Sequence, residues 1–213
     1  MIKPPKALFF RDWKNDYVAE VIKESFMEGI YEPYMKENMN VVEIGANIGI
    51  FTLFSYEYAS KILAVEPSKE HFDILMQMLT FNNMLDKVIP INKAISNENG
   101  TSKLYHNGNT TMYSLSDAIK SVDDTEEVEM IGLVELLKDI KHVDLMNLDV
   151  EGFESRILAD SQFDTVAPKI DTIVVEWHIW SGVTVSQLEA MLSDRGFKVT
   201  HAKTAATVLI GTK

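Results

Sequence analysis

Short runs of apolar residues alternate with segments of helical periodicity along most of this chain. The runs at 40–44, 62–66, 143–149 and 170–177 are rich in Val, Ile and Leu, and each has the length of a buried strand. Between them, segments such as 72–79 place apolar residues three and four positions apart. This alternation predicts an α/β fold with a doubly wound, mostly parallel sheet, in which ligands bind beyond the carboxyl ends of the strands.

Both ends of the chain differ from this alternation. Residues Trp13 to Gly29 have helical spacing, which predicts an N-terminal helical extension over 1–39 before the main domain over 40–213. Two apolar runs at 197–202 and 207–210 predict a pair of strands that ends the chain.

The remaining elements are shorter and less regular. Helices are predicted over 49–59, 133–140 and about 152–158, whereas strands are predicted over 103–106 and 128–131. The polar residues that follow the first of these strands predict a loop through Ser116.

Composition excludes several classes of function. The chain of 213 residues has 20 Lys and Arg against 32 Asp and Glu, a net charge of −12, which argues against generic nucleic-acid binding. Cysteine is absent, so disulfides, a thiolate nucleophile and a cysteine-ligated zinc are excluded. No apolar stretch reaches the roughly 18 residues of a membrane span or forms a signal peptide, so a soluble, cytoplasmic protein is expected.

The end of the first strand carries the most informative motif. Residues 43–49 read Glu-Ile-Gly-Ala-Asn-Ile-Gly, a glycine turn that lacks the G-x-G-x-x-G pattern of dinucleotide sites. Glu66 ends the second strand, 17 residues after Gly49, where a carboxylate can accept hydrogen bonds from both hydroxyls of a ribose. The motif therefore predicts a nucleoside ligand without a pyrophosphate, and its acids favour a cation such as S-adenosylmethionine. The alternative is a tight turn beside a solvated acid.

Several segments resemble the FkbM family of S-adenosylmethionine-dependent methyltransferases. They are 41–52, 64–67, 91–95 with the turn at Asn99–Gly100, Ser114–Leu115, 148–154 (Leu-Asp-Val-Glu-Gly-Phe-Glu) and 174–178. The resemblance implies a Rossmann-like class I methyltransferase sheet of seven strands that ends in an antiparallel hairpin, with O-methylation as the commonest activity. The chain departs from the family at Asn147, where a Lys is usual, and at 133–137, where Leu-Asp-Asp is usual.

The resemblance and the strand ends together predict the cofactor site. The residues expected to bind S-adenosylmethionine are Glu43, Gly45, Ala46, Asn47, Gly49, Glu66, Pro67, Ala94 and Asp149. We expect the glycine turn to shape the methionine side and Glu66 to hold the ribose. Residues 92–95 would flank the adenine, and Asp149 would face the cofactor amine or the acceptor.

The acceptor hydroxyl also needs a proton acceptor. His178, just past the fifth of these strands, is the first candidate because imidazole titrates near neutral pH, and Asp149, Glu151 and Glu154 are alternatives. A half-buried histidine beside Trp177 is an equally good reading of His178.

Some of these side chains also have the chemistry of a metal site. Asp149, Glu151, Glu176 and His178 could bind Mg²⁺ or Mn²⁺. The sequence prediction is nevertheless that no metal is bound and that Glu151 and Glu154 occupy a helix N-terminus. The other histidines, including His71, receive no role.

Two other classes of function compete with this interpretation. An NAD-dependent oxidoreductase is disfavoured by the missing dinucleotide motif, and a catalytically idle cofactor-binding module is the second alternative. A nucleic-acid methyltransferase is disfavoured by the charge and by the absence of an Asn/Asp-Pro-Pro-Tyr motif. The expected partner is a small-molecule or glycan acceptor, and no motif identifies it or sets the oligomeric state.

Overall fold

A computed structural model describes residues 29–106, 113–115 and 125–213. The strands are β1 (Met39–Ile44), β2 (Ala59–Val65), β3 (Val88–Ile91), β4 (Ala94–Ser96), β5 (Gly100–His106), β6 (Tyr113–Ser114), β7 (Thr125–Gly132), β8 (Val143–Leu148), β9 (Ile170–Glu176), β10 (Lys198–His201) and β11 (Val208–Thr212). The α-helices are α1 (Ile50–Ser55), α2 (Lys69–Phe81), α3 (Leu133–Leu136), α4 (Glu154–Ala159), α5 (Ser161–Val166) and α6 (Val185–Ser193), and single 3₁₀ turns lie at Glu32–Tyr34, Ala167–Lys169 and Ile179–Ser181.

The main sheet has seven strands in the order β10-β11-β9-β8-β1-β2-β3. The five strands from β9 to β3 are parallel, whereas β11 is antiparallel to both β9 and β10. This confirms the predicted doubly wound sheet and its C-terminal antiparallel hairpin. Because the chain leaves β1 toward β2 but later returns to pair β8 with the other edge of β1, the loops after β1 and β8 diverge and leave room for a ligand.

The sheet is buried on both faces by two apolar clusters. Along β1, Val42 and Ile44 belong to the cluster that contains Phe163, whereas Met39 and Val41 belong to the cluster on the opposite face. Successive side chains of a strand point to opposite faces, so a strand covered on both sides needs a continuous apolar sequence. That is why these strands are recognisable as short, unbroken Val/Ile/Leu runs.

The helices differ in length from the sequence prediction. The helix predicted over 49–59 ends at Ser55, and the one predicted over 133–140 ends at Leu136. Helix α5 was not predicted: Asp160 ends α4 in an extended conformation and then caps α5, its side chain accepting a hydrogen bond from the backbone N–H of Gln162. One residue thus ends one helix and starts the next, which periodicity alone does not reveal.

A second sheet was also missing from the prediction. Strands β4, β7, β5 and β6 form a four-stranded sheet in the order β4-β7-β5-β6, and its core contains Ala94, Leu104 and Val128. The strands expected over 103–106 and 128–131 therefore exist and lie in β5 and β7, which pair with each other. This small sheet lies beside the carboxyl end of the main sheet, because β4 closely follows the end of β3.

The predicted helix over Trp13 to Gly29 lies outside the described residues apart from Gly29, so the domain boundary near residue 40 stays a prediction. Among the helices that the structure describes, none combines the length and the apolar character that crossing a lipid bilayer requires.

Candidate active site

The loop after β1 ties three strand ends together. The backbone N–H groups of Gly45 and Ala46 both donate to the carbonyl of Val65 at 2.9 Å, and the N–H of Asp149 donates to the carbonyl of Ile44 at 2.9 Å. Gly45 has a φ of +88°, and a Cβ atom there would overlap the carbonyl oxygen of Asp149. A glycine is therefore required at this position by both backbone conformation and space.

Glu66, just after β2, holds the same loop through its side chain. Its Oε2 accepts the N–H of Asn47 at 2.7 Å, and its Oε1 accepts the N–H of Ser68 at 2.9 Å. The Asn92 amide donates to the carbonyls of Glu66 and Pro67, at 2.9 Å each. Each carboxylate oxygen has room for a second hydrogen bond, so Glu66 can still accept two hydroxyl groups.

A first cleft lies between this loop, the small sheet and the loop after β8. It encloses about 580 Å³, part of it open to solvent. Of the predicted cofactor residues, its lining includes Gly45, Asn47, Glu66, Pro67, Ala94 and Asp149. Its apolar walls come from side chains such as Ile95, Leu104, Leu115 and Phe153. A carboxylate beside apolar walls suits a nucleoside, whose flat base is apolar on its faces and whose ribose is a hydroxyl donor.

His71 also lines this cleft, although the sequence prediction assigned it no role. It is 1% exposed, and its Nδ1 lies 3.9 Å from Oε1 of Glu66. The sequence could have identified it by position: His71 comes three residues after Ser68, the N-cap of α2, on the first turn of the helix that follows β2. That turn faces the ligand edge of the sheet.

Burial shifts the pKa of two carboxyl groups in this region. Desolvation raises the pKa of Glu66 to about 7, although its hydrogen bonds from Ser68 and Asn47 oppose the shift. Desolvation likewise raises the pKa of Glu43 to about 8 despite the hydrogen bond that the Thr52 hydroxyl donates to it. Both groups therefore change charge near neutral pH in the ligand-free protein.

A second cleft lies on the other side of the β1 and β8 ends and encloses about 920 Å³, part of it open to solvent. Glu43 and Ala46 line this cleft and not the first, and the predicted catalytic residues Asp149, Glu151 and His178 line it too. The two clefts share Gly45, Asn47, Asp149 and Glu151.

Gly49 lines neither cleft. A Cβ atom at this position would overlap the side chains of Leu75 and Met78, so the glycine permits close packing of α1 against α2. We therefore assign Gly49 a packing role and no longer count it among the candidate cofactor contacts.

The loop after β8 has an unusual backbone that is fixed from two sides. Glu151 has a φ of +53° and Gly152 a φ of +95°. A Cβ at Gly152 would lie 2.8 Å from the Trp180 ring, whose Nε1 donates to the carbonyl of Glu151 at 3.2 Å. From the other side, Oε1 of Glu154 accepts the N–H groups of Val150 and Gly152 at 3.1 and 3.0 Å. The loop therefore presents Glu151 to the clefts in a fixed position.

His178 joins this loop to the end of β9. The side chain is 8% exposed, and its Nδ1 lies 2.9 Å from Oε1 of the fully buried Glu154. Its Nε2 faces Oε2 of Glu151 at 3.4 Å and Oδ1 of Asp149 at 3.7 Å. The structure thus brings together the three residues predicted to be catalytic, with Glu154 behind them.

The electrostatics of this cluster favour a protonated imidazole in the ligand-free protein. Burial opposes the charge on His178, but the hydrogen bond to Glu154 and the charges of Asp149 and Glu151 outweigh it and raise the pKa of His178 to about 10. Burial and the charge of Asp149 raise the pKa of Glu151 to about 8. The sequence prediction assumed an imidazole that titrates near neutral pH, and the carboxylates around His178 change that expectation.

The second cleft has one further polar contact. The Tyr31 hydroxyl donates to the Asn147 side chain at 3.2 Å, and both residues line the cleft. Among the described residues that line it, Glu43, Asp149, Glu151 and Glu176 are acidic and none is Lys or Arg. An anionic ligand would therefore find no positively charged side chain there other than His178.

Comparisons with known proteins identify the family and agree with the fold. The chain matches the sequence profile of the methyltransferase FkbM domain over residues 43–199. It is 28% identical over 216 aligned residues to methyltransferase sdnD of Sordaria araneosa, and the alignment covers 85% of this chain and 82% of that protein. Methyltransferase FkbM from Methylobacillus flagellatus KT has a similar fold, with a TM-score of 0.58 at 12% identity over 94% of this chain and 50% of the other. A methyltransferase from Geobacter sulfurreducens has a TM-score of 0.54 at 12% identity over 96% and 90% of the two chains.

Proposed function

The chain belongs to the methyltransferase FkbM domain family, and on that premise we propose that it methylates a hydroxyl group of a sugar, a glycolipid or a secondary metabolite. S-adenosylmethionine is the cofactor of this family and supplies the methyl group. The observation that carries the proposal is the pair of clefts that meet at Gly45, Asn47, Asp149 and Glu151. Methyl transfer needs a cofactor and an acceptor held on opposite sides of one reacting carbon, and two joined clefts supply that arrangement.

The first cleft suits the adenosyl end of the cofactor. The ribose hydroxyls would donate to Glu66, and the adenine would lie against apolar side chains such as Leu115 and Phe153. The methionine end would extend past Gly45 toward Asp149, where carboxylates favour the cofactor's ammonium and sulfonium charges. This placement uses the predicted cofactor residues that line the first cleft.

The second cleft suits a neutral acceptor that is rich in hydroxyl groups. Its acidic side chains and the Asn147 amide accept hydrogen bonds from hydroxyls and repel phosphate or carboxylate groups. Tyr31 and Phe51, whose ring centroids lie 4.5 Å apart, add an aromatic wall of the kind that stacks on a sugar or another apolar face.

Transfer itself is a displacement at the methyl carbon. The cofactor would supply the methyl group from its sulfonium: the acceptor oxygen would gain a carbon–oxygen bond as the carbon–sulfur bond breaks, which would leave a neutral thioether. The hydroxyl proton passes to the cluster of Asp149, Glu151 and His178. Because the sulfonium brings a positive charge to this cluster, its arrival lowers the pKa of His178 and favours the neutral imidazole that accepts a proton.

The proposal is tested in two stages. Calorimetry with S-adenosylmethionine, S-adenosylhomocysteine and NAD is expected to give binding of the first two, and binding of NAD alone would contradict the proposal. Labelled S-adenosylmethionine is then incubated with cell extracts that have been separated into neutral and anionic fractions. We expect an alkali-stable methyl ether in the neutral fraction, and methylation restricted to amines or carboxylates would contradict the hydroxyl assignment.

A further inference from the structure

We propose that Asp149, Glu151 and His178 form a binding site for a divalent cation, Mn²⁺ in particular, at the junction of the two clefts. The existence of this site does not depend on the proposed function, whereas its role in catalysis does. The sequence prediction was that no metal is bound, and the arrangement of these side chains in the fold is the reason to revise it.

The candidate ligand atoms are spaced closely enough to share one cation. One atom from each of the three side chains lies within 4.8 Å of the other two. His178 Nε2 lies 3.4 Å from Glu151 Oε2 and 3.7 Å from Asp149 Oδ1. A cation held at about 2.1 Å from each ligand places neighbouring ligand atoms about 3 Å apart. The side chains therefore need to move by less than about 1 Å to bind it.

One polar atom that faces this point is unsatisfied. Asp149 Oδ1 is a buried atom without a hydrogen-bond partner among the described residues. The nearest nitrogen is Nε2 of His178 at 3.7 Å, beyond the usual length of a hydrogen bond. Buried polar atoms are normally satisfied, so this oxygen indicates a place where a further ligand binds.

The orientation of the histidine ring is fixed by the buried carboxylate behind it. Glu154 Oε1 accepts the Nδ1 hydrogen of His178 at 2.9 Å, so Nε2 faces the two carboxylates. A cation that binds there would displace the Nε2 proton and take its place between the ring and the carboxylates. Metal-bound histidines commonly use their second nitrogen in this way, because a carboxylate behind the ring fixes its tautomer and orientation. Glu154 is therefore the positioning residue of the proposed site.

The excess of carboxylates in this cluster also favours a bound cation. Asp149, Glu151 and Glu154 surround a single imidazole, and Glu176 lines the same cleft. Glu154 is fully buried, whereas Asp149 and Glu151 are 35% and 24% exposed, and carboxylates packed this closely repel one another unless they are protonated or bind a cation. Two carboxylates and one imidazole are mixed oxygen and nitrogen ligands, which suit Mn²⁺ better than Ca²⁺.

A bound cation would change the catalytic roles of these residues. Three protein ligands leave open coordination positions for the acceptor oxygen, whose proton becomes more acidic when it is bound to a metal. His178 would then act as a ligand. The side chains of Glu176 and Asp149 share a hydrogen bond in the ligand-free protein, and a cation on Asp149 would displace the shared proton, so Glu176 would be the carboxylate that takes the hydroxyl proton. The acceptor oxygen would form its new bond to the methyl carbon as that proton leaves and the carbon–sulfur bond breaks.

The chain offers a matched control. His142, Asp144 and Asp171 also bring three ligand atoms within 4.8 Å of one another, near the opposite ends of β8 and β9. The His142 side chain is 48% exposed, and Asp144 already accepts the N–H of Asn40 at 2.8 Å. This second cluster has His and Asp ligands like the first, but its histidine is exposed, whereas His178 is buried against Glu154.

The full chain is titrated with Mn²⁺ alone, and binding is measured as the loss of the electron paramagnetic resonance signal of free Mn²⁺. We expect one bound ion per chain. His178→Gln and Glu151→Gln are each expected to weaken binding by more than about tenfold, because each removes one ligand. His142→Gln is expected to leave binding unchanged, and thermal melting establishes that each variant is folded.

Absence of Mn²⁺ binding by the wild-type chain would overturn the proposal and identify the cluster as a closed ion-pair network. Loss of binding in His142→Gln with retention in both other variants would overturn it as well. S-adenosylmethionine binding is measured separately in the presence of EDTA. It is expected to persist, so failure of the metal site and failure of the proposed function give different results.

Discussion

The ribose contact of Glu66 gives the sharpest test of the cofactor site. Glu66→Gln removes the negative charge and replaces one acceptor oxygen with an NH₂ group, which faces the N–H of either Asn47 or Ser68. The variant therefore loses a charge-assisted bond to the ligand. A hydrogen bond to a charged group contributes about 1.5–3 kcal/mol, so S-adenosylhomocysteine is expected to bind about 10- to 150-fold more weakly at about pH 8.5.

The pH dependence makes this prediction specific to ionisation. Desolvation raises the pKa of Glu66 to about 7 in the ligand-free protein. Bound ribose hydroxyls donate to the carboxylate and lower its pKa again, so binding below pH 7 must first remove a proton. Wild-type affinity is expected to fall by up to about tenfold for each pH unit below about 7. The glutamine of Glu66→Gln cannot ionise, so the variant loses this part of the pH dependence, and the affinities of the two proteins converge near about pH 5.5.

The assay is calorimetry at pH values from about 5.5 to about 8.5, on either side of the Glu66 pKa. Any titration of the ligand itself affects both proteins equally and cancels in their ratio. Glu70→Gln, which changes an exposed acid on the first turn of α2, is the control and is expected to bind like the wild type. A wild-type to Glu66→Gln affinity ratio that stays constant over the whole pH range would refute the assigned role of Glu66.

Three further predictions follow from the same geometry. Gly45→Ala places a methyl group on the carbonyl of Asp149, so melting is expected at a temperature lower by several degrees or more, with cofactor binding lost. Glu154→Gln keeps an amide oxygen that can accept the N–H groups of Val150 and Gly152 but removes the charge that supports His178, so kcat is expected to fall about tenfold or more while the cofactor Kd changes little, as steady-state kinetics and calorimetry would measure. Burial raises the pKa of Glu66 to about 7 and of Glu43 to about 8, so the folded state binds more protons than the unfolded state from about pH 4.5 upward. These two groups therefore make the ligand-free protein less stable as pH rises from about 5 to about 8, and Glu43→Gln is expected to flatten that part of the profile in chemical denaturation.

The main sheet was predictable because its sequence signals are local. Strands β1, β8 and β9 are covered on both faces, so each is a largely apolar run that ends beside a glycine or an acid. The carboxyl ends of neighbouring parallel strands share one edge, so the sequence alone was enough to place Glu66 and Asp149 at the same edge of the sheet, where both line the first cleft.

The features that were missed depend on contacts between distant residues. The small sheet pairs Thr101 with Glu129, two residues far apart in the sequence, and no periodicity signals that pairing. The contact between His178 and Glu154 spans 24 residues and depends on the backbone of the loop after β8. The acids and the histidine could therefore be located in the sequence, whereas the unpaired oxygen of Asp149 that suggests a metal site depends on how the side chains are placed together.

The cofactor assignment is best tested by a crystal structure with S-adenosylhomocysteine. We predict both ribose hydroxyls within hydrogen-bond distance of Glu66, the adenine in the first cleft beside Leu115, and the sulfur at the junction next to Gly45 and Asp149, facing the second cleft. An adenosyl group bound in the second cleft, or outside both clefts, would contradict this assignment.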